Sequence, residues 1–400
     1  MQILENILKT FEYTVFAYFA ISSLYIFIFS FAGKFYKKRK SLESIKQNRI
    51  ALLIPAYKED AVIVEVAKTA LQQQYPAKMF DVIVIADSLN KHTITKLIEL
   101  PIKLLEVSFE KSTKSKALNT AMANLKNDYD YAIILDADNI MEPEFISKMN
   151  EAFEMGYLIV QGHRKAKNLN TSFAILDAAS EEINNHIFRK GHRALGISSG
   201  LIGSGMGFEY NLFKSMMKSV NAVGGFDKEL EFKFAAKQIK IEYLEHAIVL
   251  DEKIQKASDF SNQRKRWLST QFIYLKKYFV SSCKALLFKG NLDFFDKAFQ
   301  LIIPPRILLI GMTFLIAFGY GLLSLIFNLS TNVNAAYWFL NFGVTAMAFI
   351  LAIPKTFYNI ETLKAMLSLP SAFLRMAMLL LNLKGANNKF IHTAHGTIEN

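Results

Sequence analysis

"YAIILDADNI", residues 131–140, carries a mostly apolar run straight into Asp136-Ala137-Asp138. An apolar segment of strand length that ends in two carboxylates reads as a buried strand with a polar rim. Three other runs share its form: "RIALLIPAY" (Arg49–Tyr57), "DVIVIADS" (Asp81–Ser88) and "GYLIVQGHR" (Gly156–Arg164). Amphipathic helical stretches lie between them, such as Ala61–Gln74 and Lys114–Leu125. Strands alternating with helices predict an α/β domain whose mainly parallel sheet is covered on both faces. Ligands of such sheets bind beyond the carboxyl ends of the strands. Three strands end in polar groups: Tyr57-Lys58-Glu59, Asp87-Ser88 and Asp136-Ala137-Asp138. One strand-end acid is most simply a helix cap or a solvated turn. Three polar ends, one of them a carboxylate pair, point to a site.

Asp136 and Asp138 stand two residues apart, and a turn after the strand aims both into one pocket. Left alone they repel. A hard divalent cation, Mg²⁺ or Mn²⁺, removes that cost and also takes phosphate oxygens. The pattern therefore predicts a metal–diphosphate site, with the choice between the two ions open. A D-x-D string alone is weak evidence, and its place after "YAIIL" is what gives it weight.

The chain has 400 residues, of which 52% are hydrophobic, and this proportion calls for membrane segments as well as a folded domain. Tyr13–Ala32 carries no charge and is long enough to cross a bilayer, about 30 Å at helical rise. It is too long for the apolar core of a signal peptide, and no basic excess precedes it. "GKFYKKRK" (Gly33–Lys40) follows directly and marks the cytosolic side. Ile307–Leu329 and Ala335–Pro354 are two further uncharged runs joined by "STNVN", a helical hairpin. Ala365–Leu383 is broken by Pro370 and Arg375 and reads as an interfacial or re-entrant helix. The expected organisation is residues 1–40 as an N-terminal span with its basic flank and 48–260 as the catalytic domain. Residues 261–297 follow as interfacial helices and 298–400 as a C-terminal membrane region. The expected location is a bacterial plasma membrane, with the central domain in the cytosol. A single cysteine, Cys283, excludes an intramolecular disulfide and a cysteine-based zinc site.

"LLIPAYKE", "VIVIADS", "KSKALN", "ILDADN", "GSGM", "GGFDKEL" and "QRKRW" occur in an order that resembles the membrane-bound family 2 glycosyltransferases. That family includes the synthases of cellulose, chitin and hyaluronan. The resemblance covers Arg49–Trp267 and implies a GT-A catalytic domain flanked by transmembrane helices. No G-x-x-x-x-G-K-[ST] or G-x-G-x-x-G fingerprint is present, which weakens the main other phosphate-binding readings.

The resemblance implies roles residue by residue. Pro55, Ala56, Tyr57 and Glu59 would line the base and ribose, and Asp87 would bond the uracil or ribose edge. Lys114 would sit near the nucleotide phosphates, with Lys111 and Lys116 as equal alternatives. Asp136 and Asp138 would hold the sugar-nucleotide diphosphate through the metal, with Arg266 of Q-x-x-R-W also on the diphosphate. Gln263 belongs to the same motif, and Trp267 would stack beneath the acceptor sugar. Gly203, Ser204 and Gly205 of "GSGM" would allow close approach of the acceptor. The family's T-E-D string, which supplies the base, is missing. Counting back from "IKIEY" places the base on Asp227, with Glu229 as runner-up. Asp227 also suits an ordinary helix start. "NNKFIHTAHG" (Asn387–Gly396) resembles a gating segment, with Phe390 and Thr393 at the matching positions. His392 and His395 lack a third ligand for a metal, and His163, His186, His192 and His246 read as structural or solvated.

The activity expected is inverting transfer of a sugar from a UDP-sugar to a growing glycan at the cytosolic membrane face, in polysaccharide synthesis. Transfer of one sugar to a lipid-linked acceptor is the alternative, since three spans make a thin wall for a polymer channel. Export would then call for a homodimer or a partner. A non-catalytic assembly subunit is a third reading. The net charge of +12 also suits nucleic acid. The basic residues, however, cluster beside membrane segments without a basic-aromatic stacking face, so no nucleic-acid partner is expected.

Overall fold

The computed structural model describes residues 2–37, 45–126, 128–255, 257–327 and 333–381. Along the chain come α1 (Gln2–Gly33), β1 (Ile50–Tyr57), α2 (Ile63–Ala70), β2 (Phe80–Asp87), α3 (Lys91–Ile98) and β3 (Lys103–Val107). Next are α4 (Lys114–Asn124), β4 (Tyr131–Ile134), β5 (Ile140–Met141), α5 (Phe145–Glu154), β6 (Ile159–Ala166) and α6 (Ser172–Asn184). A π-helical segment, Asn185–Gly191, leads into α7 (His192–Ala194). There follow β7 (Met206–Glu209), α8 (Tyr210–Met217), α9 (Phe226–Ala236) and β8 (Ile241–Asp251). The helices α10 (Ala257–Lys289), α11 (Leu292–Gln300), α12 (Arg306–Phe327), α13 (Ala335–Ala352), α14 (Ile360–Met366) and α15 (Leu369–Leu381) complete it.

The strands form one eight-stranded sheet in the order β3-β2-β1-β4-β7-β6-β8-β5. Successive residues of β1 feed opposite layers: Ile50, Leu52 and Ile54 pack with α2 and α5, while Ala51 and Leu53 pack with α4, α8 and α9. That two-sided burial is why the strand reads as a continuous apolar run. The sheet is mainly parallel, as expected, with two short strands reversed. β7 runs antiparallel to β4 and β6, and β5 antiparallel to β8. β7 is only Met206–Glu209, follows a glycine-rich turn and shows no alternation long enough to read.

α1, α12 and α13 are each long and apolar enough to cross a membrane, and α14 with α15 forms a pair bent by 43°. α1 is longer than the uncharged stretch Tyr13–Ala32, because no helix breaker stands between Gln2 and Tyr13. Ser23 of α1 and Thr345 of α13 share a buried hydrogen bond of 2.7 Å, the kind of polar contact that joins apolar helices. α1 also meets the π segment closely. A Cβ at Gly191 would stand 2.1 Å from the Phe29 carbonyl oxygen. Backbone cannot retreat as a side chain can, so Gly191→Ala is expected to cost about 1–3 kcal/mol. A fall in the unfolding temperature of the purified protein checks this, and an unchanged temperature would refute the contact.

Candidate active site

β1 and β2 end in register, Tyr57 beside Asp87. The residue after each, Lys58 (φ 56°) and Ser88 (φ 60°), takes a left-handed backbone that ordinary residues avoid. Such conformations concentrate at ligand sites. Lys58 N–H donates to the Asp87 carbonyl at 3.1 Å and locks the two turns together. Asp87 is buried and accepts from the Ser88 hydroxyl at 2.9 Å. Pro55, Ala56, Tyr57, Glu59 and Asp87 all line one cavity of about 1660 Å³, which also holds the aspartate pair.

β4 ends at Ile134, and a tight turn follows in which Asn139 N–H donates to the Asp136 carbonyl at 3.2 Å. Asp136 and Asp138 are joined there by Asp251 at the end of β8. Oxygens of the three carboxylates lie within 4.8 Å of one another. The Asn139 amide bridges two of them, donating to Asp138 at 3.3 Å and to Asp251 at 3.2 Å. Asp138 also accepts from the Glu252 N–H at 3.2 Å. Cations surround the group. Lys114 donates to Asp136 and to the Gly203 carbonyl (2.7 Å). Lys253 donates to Asp251 at 2.7 Å and also to Glu181, which takes a second bond of 2.5 Å from Arg164. Three hard oxygen ligands converging from two strand ends fit a divalent ion. Asp251 was missed in the sequence, although "IVLDEK" (Ile248–Lys253) repeats the apolar-run-then-acid form of "ILDAD".

The site lysine is Lys114. Thr113 caps α4 by accepting from the Lys116 N–H, which places Lys114 at the first helical position facing Asp136. Lys116 instead reaches back to the Lys111 carbonyl at 2.8 Å, away from the acids.

Asp227 and Glu229 face different ways. Asp227 lines the cavity, and a Cβ at Gly203 would stand 3.8 Å from its carboxylate. Burial pushes its carboxyl above the usual carboxylate range, with Lys228 and Lys114 opposing and Glu231 adding to the shift. Glu229 is buried outside the cavity, accepting from Lys277 at 2.9 Å and lying 3.8 Å from Lys233. The cap of α9 is Gly225 (φ 72°), so Asp227 is not the capping residue.

Of Gly203, Ser204 and Gly205, Gly203 lines the cavity, as do Gly200, Leu201 and Ile202 before it. Ser204 is fully buried and donates to the Asn139 amide oxygen, while Asp136 N–H donates to its hydroxyl at 3.2 Å. It braces the aspartate turn. Gly205 (φ 60°) packs against Val249 behind the turn. The turn thus points Ser204 and Gly205 inward, away from the cavity where an acceptor contact was expected.

Gln263, Arg266 and Trp267 of Q-x-x-R-W line the same cavity from α10. The Gln263 side-chain oxygen is buried with no hydrogen-bond partner among the described residues. Burial lowers the Arg266 pKa. Arg264, unweighted in the sequence reading, pairs with Asp177 and lies 4.3 Å over the Trp267 ring. His163 bonds Tyr243 (2.6 Å) and Glu182 (3.0 Å), His186 the Ser30 carbonyl (2.8 Å), and His192 Tyr25 (2.9 Å), while His246 is exposed. Lys38–Lys40, Phe390, His392, Thr393 and His395 lie outside the described residues.

A mainly parallel sheet whose strand ends carry a deep cleft and a carboxylate cluster is the arrangement of a GT-A fold. The family model "Glycosyltransferase like family 2" matches residues 47–270, and the chain belongs to that family. Among solved structures it is similar to a mannosyltransferase from Pyrobaculum calidifontis in complex with GDP-mannose and Mn²⁺. Their identity is 14% and the TM-score 0.52, over 92% of this chain and 98% of that one. A glucosyl-3-phosphoglycerate synthase from Mycobacterium tuberculosis, in complex with Mn²⁺, UDP and glucosyl-3-phosphoglycerate, matches at 16% identity and TM-score 0.37. That match covers 53% of this chain and 74% of the other. No curated protein matches the chain.

Proposed function

We propose that this chain is an inverting glycosyltransferase that takes a sugar from a UDP-sugar at the cytosolic membrane face and adds it to an acceptor hydroxyl. The observation that carries the reading is that Asp227 lines the same cavity as Asp136, Asp138 and Asp251. The acceptor oxygen attacks the anomeric carbon as the bond from that carbon to the diphosphate oxygen breaks. Asp227 takes the hydroxyl proton, and its raised pKa suits a base. A divalent ion held by Asp136, Asp138 and Asp251 would supply positive charge to the departing diphosphate. Lys114 steadies Asp136, Arg266 faces the same space, and Trp267 offers a face for a sugar. Pro55, Ala56, Tyr57, Glu59 and Asp87 form the nucleoside end. Residues 48–260 then act as the catalytic domain, with 1–40 and 298–400 as membrane parts and 261–297 lying along the interface.

A growing glycan in polysaccharide synthesis is one acceptor class. A lipid-linked acceptor is the other, and it is favoured by the apolar half of the cavity against α12 and α13. The donor is tested by nucleotide release from a panel of UDP-sugars and GDP-mannose with Mn²⁺, and the stereochemistry by NMR of the new linkage. A UDP-sugar is expected to react with inversion. Release from GDP-mannose alone would overturn the uridine assignment, and a retained configuration would overturn the single displacement.

A further inference from the structure

The cavity does not end at the carboxylates. It continues between α6 and the helices α12, α13 and α15, where Phe173, Ile310, Phe314, Phe342, Phe349 and Phe373 form an apolar wall. α12 and α13 are two of the helices long enough to cross a bilayer, so this half of the cavity opens among membrane-spanning surfaces.

Besides Arg164 and Arg266, three arginines, Arg189, Arg264 and Arg306, line the cavity. Arg264 is paired with Asp177. The other two have neutral partners only. Arg306, the first residue of α12, donates to the Ser180 carbonyl at 2.9 Å and to its hydroxyl at 2.8 Å. Arg189, buried in the π segment, donates to the Gly200 carbonyl at 3.2 Å and the Asn185 side-chain oxygen at 2.9 Å. Among the described residues neither forms an ion pair. Arg264 and Arg189 repel Arg306, and the carboxylates of Asp177 and Glu181, which form no ion pair with it, offset part of that repulsion. Withdrawing guanidinium groups from water without a directly paired counter-charge is expensive, and π-helical insertions recur at functional positions. Arginine's planar fork matches phosphate oxygens in pairs.

We propose that the acceptor is a phosphate-bearing lipid, its phosphate held by Arg306 and Arg189 and its chain laid along the phenylalanine wall. The glycan it carries then extends past Trp267 toward Asp227, where its hydroxyl enters the displacement described above. The assignment rests on the glycosyltransferase reading and names its acceptor.

The test uses the full chain in a neutral detergent with three probes: tetradecyl phosphate, tetradecanol and inorganic phosphate. Binding is followed by tryptophan fluorescence, to which Trp267 of the cavity contributes, and UDP binding with Mn²⁺ is measured in parallel. Tetradecyl phosphate is expected to bind at least about tenfold more tightly than either other probe, since charge and chain act together. Arg306→Gln is expected to remove about tenfold of that affinity and to leave UDP binding unchanged. Ala346→Trp, which fills the apolar half without altering charge, is expected to weaken tetradecyl phosphate and spare UDP. Equal binding of tetradecanol would remove the anion site. Equal binding of inorganic phosphate would point to a free phosphate instead of a lipid. A parallel loss of UDP in Arg306→Gln would give these arginines to the donor diphosphate and overturn the proposal while leaving the transferase. Absence of UDP binding in wild type, with tetradecyl phosphate still bound, would instead strike the transferase reading and leave the lipid site standing. Should Arg306→Gln fail to fold, Arg189→Gln and the wild-type probe comparison decide.

Discussion

Asp227→Asn is expected to lower the rate of sugar transfer by about 10²–10⁴-fold, the usual contribution of a positioned base. Asparagine keeps the shape of the side chain beside Gly203 and cannot take the proton. The same substitution is expected to leave the protein as stable or more so near neutral pH. Burial raises the Asp227 pKa in the folded state. The folded chain therefore binds this proton more tightly than the unfolded chain, and stability falls as pH rises from the unfolded carboxyl pKa through the folded one. Asparagine removes that cost at high pH and changes little at low pH. The acid limb of the wild-type rate profile should lie above the ordinary aspartate range and vanish in the variant's residual rate. Initial rates and thermal unfolding against pH measure both parts. Full activity in Asp227→Asn would exclude it as base. A loss of activity matched by a loss of fold would leave Asp227 structural.

Asp251→Asn is expected to raise the Mn²⁺ concentration needed for half-maximal transfer by about 100-fold, an order seen when an oxygen ligand or its support is weakened at a metal site. The amide oxygen still accepts from Asn139, so the turn keeps its geometry. The charge opposite Lys253 and Arg164 is lost, and part of the effect appears as a lower unfolding temperature. Saturating Mn²⁺ separates the two: a ligand defect is rescued by excess metal and a packing defect is not. An unchanged Mn²⁺ requirement would remove Asp251 from the metal site.

The legible parts of this protein are those where physical chemistry leaves one reading. Strands buried on both faces must be continuous apolar runs, so β1, β2, β4 and β6 stood out, and with them the polar rim at Tyr57, Asp87 and Asp136. Asp251 went unweighed because β8 is less uniformly buried, with its middle residues Leu244–His246 turned partly outward. Its apolar pattern is broken at Glu245-His246, which leaves only the short run Ala247–Leu250 before the final acid. The choice between Asp227 and Glu229 was open in the sequence. Positions two apart on a helix point about 200° from each other, so only one can face the cavity, and which one depends on the phase that α10 imposes through Lys277 and Tyr274. Ser204 and Gly205 were illegible for a related reason. A glycine-rich turn carries no periodicity, and its inward residues are set by the aspartate turn it braces. Arg306 sits beside an apolar stretch where a basic residue reads as a membrane-edge flank, and Arg189 lies in the polar run "NNHIFRKGHR" (Asn184–Arg193), where one more base carries no signal. Only the fold shows them facing one cavity.

The central claim is a metal-dependent nucleotide diphosphate site on the strand-end carboxylates. Calorimetric titration of UDP into the purified protein, with and without Mn²⁺, tests it most directly, in wild type and in Asp136→Ala/Asp138→Ala. The account predicts binding that requires Mn²⁺ and disappears in the double variant while the fold is kept. Metal-independent binding of equal strength in both proteins, or no binding by folded wild type, would contradict it.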